Sequence, residues 1–247
     1  MTDHLLYSKD GAVASIRFNR PEKKNALTTA MYAAMTAALE EAAVDDSVRA
    51  VTIHGGDVFT AGNDIGDFLS AGPLDAEHPV INVLTSLMAF PKPLLAGVRG
   101  VAIGIGTTLL MHCDAVVAGT SARFATPFTK LGIVPEAASS VLFPLIAGRS
   151  RATWYLLSGE MFGAGDALEM GLVTRVTEDS EVDAMILAMA ATLADLPPNA
   201  MRTTKRLIKA RFADVIDAAF REELAEFATA LVSEEARAAF MRFMTRG

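Results

Sequence analysis

The sequence is short of several things, and each shortage removes a class of protein. Cys113 is the single cysteine in 247 residues, which excludes an internal disulfide framework. Lysine and arginine number 22 against 29 acidic residues, for a formal net charge of −7 and no basic domain, so nucleic acid is not an expected partner. No long apolar run is free of charge and glycine: Leu94 to Met111 is interrupted by Arg99 and by several glycines. That stretch reads as a buried strand and helix, and no membrane insertion is expected. The opening MTDHLLYSKDG is too polar for a signal peptide, and the closing TRG carries no peroxisomal address. The expected compartment is the cytoplasm. There is no internal repeat and no low-complexity segment.

What is present is a soluble globular composition, 51% hydrophobic and 21% charged, long enough for one large domain or a core with an appendage. Ala12 to Phe18 and Ala50 to Ile53 read as strands. Thr28 is placed to cap a helix running to about Ala43, with Met31, Met35, Ala38 and Leu39 at helical spacing. Asp67 to Asp75 reads as a polar loop, and Val80 to Phe90 as a helix ended by Pro91-Lys92-Pro93. Pro93 to Val98 and Asp114 to Ala118 read as buried strands. Glu136 is read as opening a helix toward Leu145, after a proline-closed loop from Phe124. Arg149 to Ser158 and Gly163 to Met170 read as helices, and Gly171 to Val176 as a last strand. Beyond Ser180 every segment reads as helix, with Pro197-Pro198 as the natural boundary. Strands and helices alternate first and helices alone follow, which predicts an α/β core with a helical C-terminal region.

The chain is organised around Gly100 to Asp114, GVAIGIGTTLLMHCD. Glycines cluster there where a strand should turn into a helix, and a helix start presents unpaired N–H groups and positive dipole. Such a place can hold an oxygen that is becoming negative, although a glycine-rich turn can equally serve packing alone. A second glycine turn lies at Phe59 to Ile65, FTAGNDI.

Five segments in order resemble the crotonase, or enoyl-CoA hydratase/isomerase, superfamily: NRPEKKNAL at 19–27, FTAGNDI at 59–65, KPLLAGVRGVAIGIGTTLLMHCD at 92–114, FATPFTKLGIVPE at 124–136 and GLV at 171–173. The resemblance implies a spiral of ββα units at 1–196, a helical trimerisation region at 197–247, and an acyl-CoA thioester as ligand. It implies a homotrimer or hexamer, with no separate cofactor and no metal. It also implies two backbone donors for the thioester oxygen, Asn63 N–H and Ile105 N–H, the latter within Gly104-Ile105-Gly106. Side chains matter little at such donors.

Hydratases of this family use two glutamates. At the matching positions this sequence has Thr108 and Phe128, and neither can act as a general base. Glu136 follows a proline in a pattern, TPF…LG…PE..SS..FP, that resembles the peroxisomal type of Δ3,Δ2-enoyl-CoA isomerase, as do AGNDI and LPPNA at 196–200. That likeness assigns Glu136 as the acid/base. Read without it, proline then glutamate is a common helix start.

Substrate contacts are expected from Ala26, Ala61, Gly62, Asp64, Ile65, Gly104, Phe128 and Leu131, with Phe68, Leu69 and Leu142 as further acyl-slot residues. Asp64 is also placed to cap a helix. CoA phosphates need cations, and Lys23, Lys24, Lys205, Lys209 and Arg242 are the expected ones. His112 and Cys113 read as packing. The expected reaction is isomerisation. A hydratase, a thioester hydrolase and a non-catalytic acyl-CoA binder are the alternatives.

Overall fold

A computed structural model describes residues 2–70, 72, 74–75 and 77–244. The closing TRG lies outside the described residues, as do positions 71 and 73 of the expected polar loop. The chain opens with a hairpin of β1 (Leu5–Asp10) and β2 (Val13–Phe18), paired antiparallel from Leu5↔Phe18 to Asp10↔Val13. Strand β1 was not expected: it is a sheet edge, and only its Leu5 is buried, so it lacks an apolar alternation to read. Helix α1 (Thr29–Val44) begins where the Thr28 side chain accepts from Met31 N–H, as its spacing predicts. After β3 (Ala50–His54) comes α2 (Ile65–Ser70), the helix Asp64 is placed to cap, which it does by accepting from Asp67 N–H; from Asp67 to Ser70 the helix takes the place of the expected loop.

Next come α3 (Pro79–Ala89), β4 (Leu94–Val98), β5 (Val101–Ile103) and α4 (Ile105–Thr108), then β6 (Ala115–Gly119) and β7 (Arg123–Ala125). The middle of the chain continues as α5 (Ser139–Ala147), α6 (Arg149–Ser158), β8 (Phe162–Gly163), α7 (Ala164–Met170) and β9 (Arg175–Thr177). Helices α8 (Val182–Ala194), α9 (Pro198–Ala210), α10 (Ala213–Leu231) and α11 (Glu234–Met244) close it.

The strands form two sheets, ordered β1-β2-β3-β4-β6-β9 and β5-β7-β8. From β2 to β9 the larger sheet is parallel. Chain segments alternate between the sheets: β4 then β5, β6 then β7. An isolated parallel bridge, Thr60↔Ala102, extends the second sheet to the segment after β3. This is the repeated ββα winding. Successive side chains of a strand face opposite ways, so Leu95 and Val117 pack with Val182 and Ile186 of α8, while Leu94, Ala96, Val116 and Ala118 enter the main core. Helices α10 and α11 bring Phe227 and Phe240 onto that same core. Among the described residues no helix is long and apolar enough to cross a membrane.

Candidate active site

The segment from Phe59 to Asp64 is held almost peptide by peptide. Phe59 N–H donates to Arg99 carbonyl, Thr60 N–H to Val101, Ala61 N–H to Lys24, Gly62 N–H to Thr60 Oγ1, and Asp64 N–H to Leu27. Asn63 N–H is the exception, with no acceptor among the described residues. Gly62 explains why: its φ of 94° turns the following peptide outward, and a Cβ there would lie 2.8 Å from the Ile103 carbonyl oxygen. Asn25, buried, steadies the neighbouring loop by donating to the Gly55 and Val58 carbonyls at 2.7 and 2.6 Å.

The second donor arises at the start of α4. Gly104, with φ 57° and ψ −120°, occupies backbone space that side-chain-bearing residues avoid. Thr107 and Thr108 N–H turn back to the Gly104 carbonyl, whereas Ile105 N–H has no acceptor among the described residues. Thr60 N–H donates to Val101 and Ile103 N–H donates to Thr60, so the two glycine turns are stitched together.

Asn63 and Ile105 line one cavity of about 360 Å³. Ala26, Ala61, Gly62, Asp64, Ile65 and Gly104 line it too, with Phe68, Phe128, Leu131 and Glu136. Ile103, Pro127, Ile133, Phe227 and Phe240 complete its walls. A smaller space of about 30 Å³ lies behind Asn63, Phe68 and Glu136, against Phe220, Glu223 and Phe227.

Two carboxyl groups line the main cavity. Asp64 is neutralised by Arg20, whose Nη1 lies 2.7 Å from it and also donates to the Ala26 carbonyl. That hydrogen bond keeps Asp64 below the usual carboxylate range. Glu136 forms no ion pair among the described residues. Burial pushes its carboxyl up to about 8, the nearby Glu223 adds to this, and the Thr108 hydroxyl, donating to Glu136 Oε1, opposes it. Glu136 does not open a helix as expected. It precedes a turn in which Ala137 and Ala138 both have positive φ, 60° and 57°, and α5 begins only at Ser139. His112 Nε2 lies 2.9 Å from the Ala137 carbonyl; burial holds this imidazole down at about 4, so it is neutral and donates.

Two unpaired N–H groups, one carboxyl with a raised pKa and an apolar wall make a site able to move protons beside a carbonyl. Residues 8–247 match the family described as enoyl-CoA hydratase/isomerase. The chain belongs to the enoyl-CoA hydratase/isomerase family. It is 40% identical over 248 residues to enoyl-CoA delta isomerase 2 of Rattus norvegicus, covering 98% of this chain and 63% of that protein. It is 36% identical over 253 residues to the peroxisomal enoyl-CoA delta isomerase 3 of Mus musculus, covering 99% of this chain and 78% of that one. The crystal structure of an enoyl-CoA hydratase/isomerase from Pseudoalteromonas atlantica T6c superposes with a TM-score of 0.95 at 41% identity, covering 98% of this chain and 97% of that chain. The chain thus spans under two thirds of the length of the rat relative.

Thr108 and Phe128 are the residues expected at the hydratase glutamate positions. Thr108 serves as the hydrogen-bond donor to Glu136, and Phe128 is a buried wall residue. The expected cations divide. Lys23 and Lys24 are exposed on the loop that leads into Ala26. Arg242 is exposed on α11, two residues after the cavity residue Phe240. Lys205 and Lys209 are corrections. Lys205 is 8% exposed, with Nζ 2.6 Å from both the Asp114 carboxylate and the Lys92 carbonyl. Lys209 donates to the Leu87 and Met88 carbonyls at the end of α3, and burial holds its amine down at about 8. Neither lines the cavity of Glu136. Lys205 and Lys209, four residues apart on α9, both turn toward the fold. Leu142 lines a different cavity, beside Lys209, and Leu69 is largely exposed.

Three participants escaped sequence reading. Arg20 and Tyr32, whose hydroxyl donates to Asn63 Oδ1, act across long sequence separations, and Glu223 lies on a helix read as appendage. No local pattern marks any of them.

Proposed function

We propose that the protein is a Δ3,Δ2-enoyl-CoA isomerase. The observation that carries this reading is a single unpaired, buried carboxyl in a cavity that also presents two free backbone donors. The Glu136 carboxylate takes a proton from C2 of a 3-enoyl thioester. The electron pair left at C2 delocalises into the adjacent carbonyl, onto the thioester oxygen, which accepts from Asn63 N–H and Ile105 N–H, and through the C3=C4 double bond onto C4. The dienolate is then protonated at C4 by the Glu136 carboxyl, giving the conjugated 2-trans-enoyl thioester. One proton leaves and one returns, so no water or redox partner is consumed. The donors favour the oxygen more as its charge grows, which lowers the barrier; one such donor contributes about 3–4 kcal/mol.

Two features support isomerisation over hydration. Thr108 and Phe128 stand where the family's hydratases have glutamates, and a water held between two carboxylates has no second carboxylate here. Asp64 is paired with Arg20. In this reading Lys23, Lys24 and Arg242 meet the CoA phosphates. The proposed assembly is a homotrimer or a hexamer built from it. The apolar side chains Leu207, Ile208, Phe212 and Val215, exposed on and after α9, are surface that association would cover.

The deciding experiment gives one preparation a 3-enoyl-CoA and, separately, a 2-trans-enoyl-CoA. The conjugated thioester is followed by ultraviolet absorbance. Fast appearance with negligible loss is expected. Fast loss from the second substrate would show that water is activated, and the isomerase reading would fall.

A further inference from the structure

Glu223 is a buried carboxyl that the proposed reaction does not use. It reaches from α10 to the turn that carries Glu136, a separation of 83 residues to its main partner: Ser140 N–H donates to Glu223 Oε1 at 2.8 Å. The N–H groups of Ala138 and Ser139 also favour its charge. Its Oε2 is buried without a partner among the described residues. Glu136 and Glu223 line the same small space behind the main cavity.

The turn needs such a brace. Two consecutive alanines at positive φ are strained, since Cβ crowds the backbone there. The turn is held by Ser139 N–H to the Glu136 carbonyl at 3.1 Å, by Val141 and Leu142 N–H to the Ala138 carbonyl, by His112 to the Ala137 carbonyl, and by Ser140 N–H to Glu223. Of these, only Glu223 also brings charge to the space Glu136 faces.

We propose that Glu223 is a positioning residue for Glu136: it holds the 137–140 turn in its strained form and sets a negative charge across the small cavity from the acid/base. This rests on the reading of Glu136 as acid/base.

The groups around Glu136 can be named. Glu223 faces it from α10, the Tyr32 phenol approaches from α1, and the Thr108 hydroxyl donates from α4. Asp67 of α2 lies on the far side of Tyr32, and its carboxylate accepts from Thr29 N–H. His112 is neutral and bonds the turn from the opposite side. Burial raises the Glu223 carboxyl above its ordinary value and the backbone donors of the turn oppose this; with Glu223 ionised, like charge keeps the proton on Glu136.

The test uses Glu223→Gln and Glu223→Ala. The glutamine keeps an acceptor for Ser140 N–H and removes the charge. It is expected to move the pH at which kcat/KM rises downward by about one unit, with KM little changed. The alanine removes the brace as well, and is expected to lower kcat about tenfold or more. A second readout does not depend on turnover. The difference in Tm between wild type and Glu136→Gln, followed against pH, reports the Glu136 proton; in the Glu223→Gln background its window should also move down. Unmoved limb and unmoved window overturn the proposal, whatever the alanine variant does. Absent isomerase turnover with a moved window overturns the isomerase reading and keeps the coupling of the two carboxyls. Should the alanine variant fail to fold, the glutamine variant alone decides.

Discussion

The two halves of the site are built on different principles. The proposed oxyanion half, Asn63 and Ile105, is made of backbone. Its donors are fixed by a ladder of peptide hydrogen bonds and by the conformations of Gly62 and Gly104. The proposed acid/base half is a single side chain, Glu136, whose position depends on Thr108, His112 and Glu223 from elsewhere in the fold. The first half tolerates changes of side chain and fails when the backbone moves. The second fails when its one functional group is lost or when the strained turn that carries it shifts.

The largest break in that comparison is Glu136→Gln. It is expected to lower kcat by about 10³-fold, within the range for removing a general acid/base. The same change should stabilise the fold. Glu136 holds its proton more tightly folded than unfolded, so the native state binds more protons between the ordinary glutamate pKa of 4.5 and about 8. Wild-type stability therefore falls as pH rises through that window. The Tm advantage of Glu136→Gln should be smallest near pH 4 and grow toward pH 8. A constant offset would contradict the raised pKa. In wild type, kcat/KM should rise with pH through about 8, because the base form is the one that abstracts the proton.

Next comes Gly104→Ala. A Cβ at this position meets nothing within 4 Å, so the change tests backbone conformation alone. The expected loss is about 10²-fold in kcat, as for one misplaced oxyanion donor, while CoA affinity stays near wild type. Unchanged kcat would show that Ile105 N–H is not a donor in the reaction.

Lys205→Ala separates structure from binding. Removing the buried Lys205 from its pair with the partly exposed Asp114 should cost about 1–2 kcal/mol of stability, read by chemical denaturation. The KM for acyl-CoA should stay unchanged; a large rise would return Lys205 to the phosphate site. Smallest is Ile105→Val. It should cost about 1 kcal/mol of stability and leave kcat within about threefold, since the N–H remains.

The legible parts of the chain were those in which local sequence carries local physics. The Thr28 cap, the proline-bounded helices and the apolar strands appear close to their expected bounds. The site was legible where backbone or motif order carried it, so twelve expected residues from Ala26 to Glu136, Phe68 among them, share one space. Strand β1 was missed because only its Leu5 is buried, so it has no apolar alternation to read and is held by its pairing with β2.

The sequence by itself determined where this chain turns, where it is apolar, and which peptides are freed by glycine. These depend on steric limits within a few residues. Only the tertiary structure decided which lysines were buried, which carboxyl stayed unpaired, and that Glu223 meets Glu136. Those outcomes depend on desolvation, and desolvation is set by which surfaces meet, often many tens of residues apart. The contrast is clearest on α9 and α10, where Lys205 became half of a buried ion pair and Glu223 became a wall of the site.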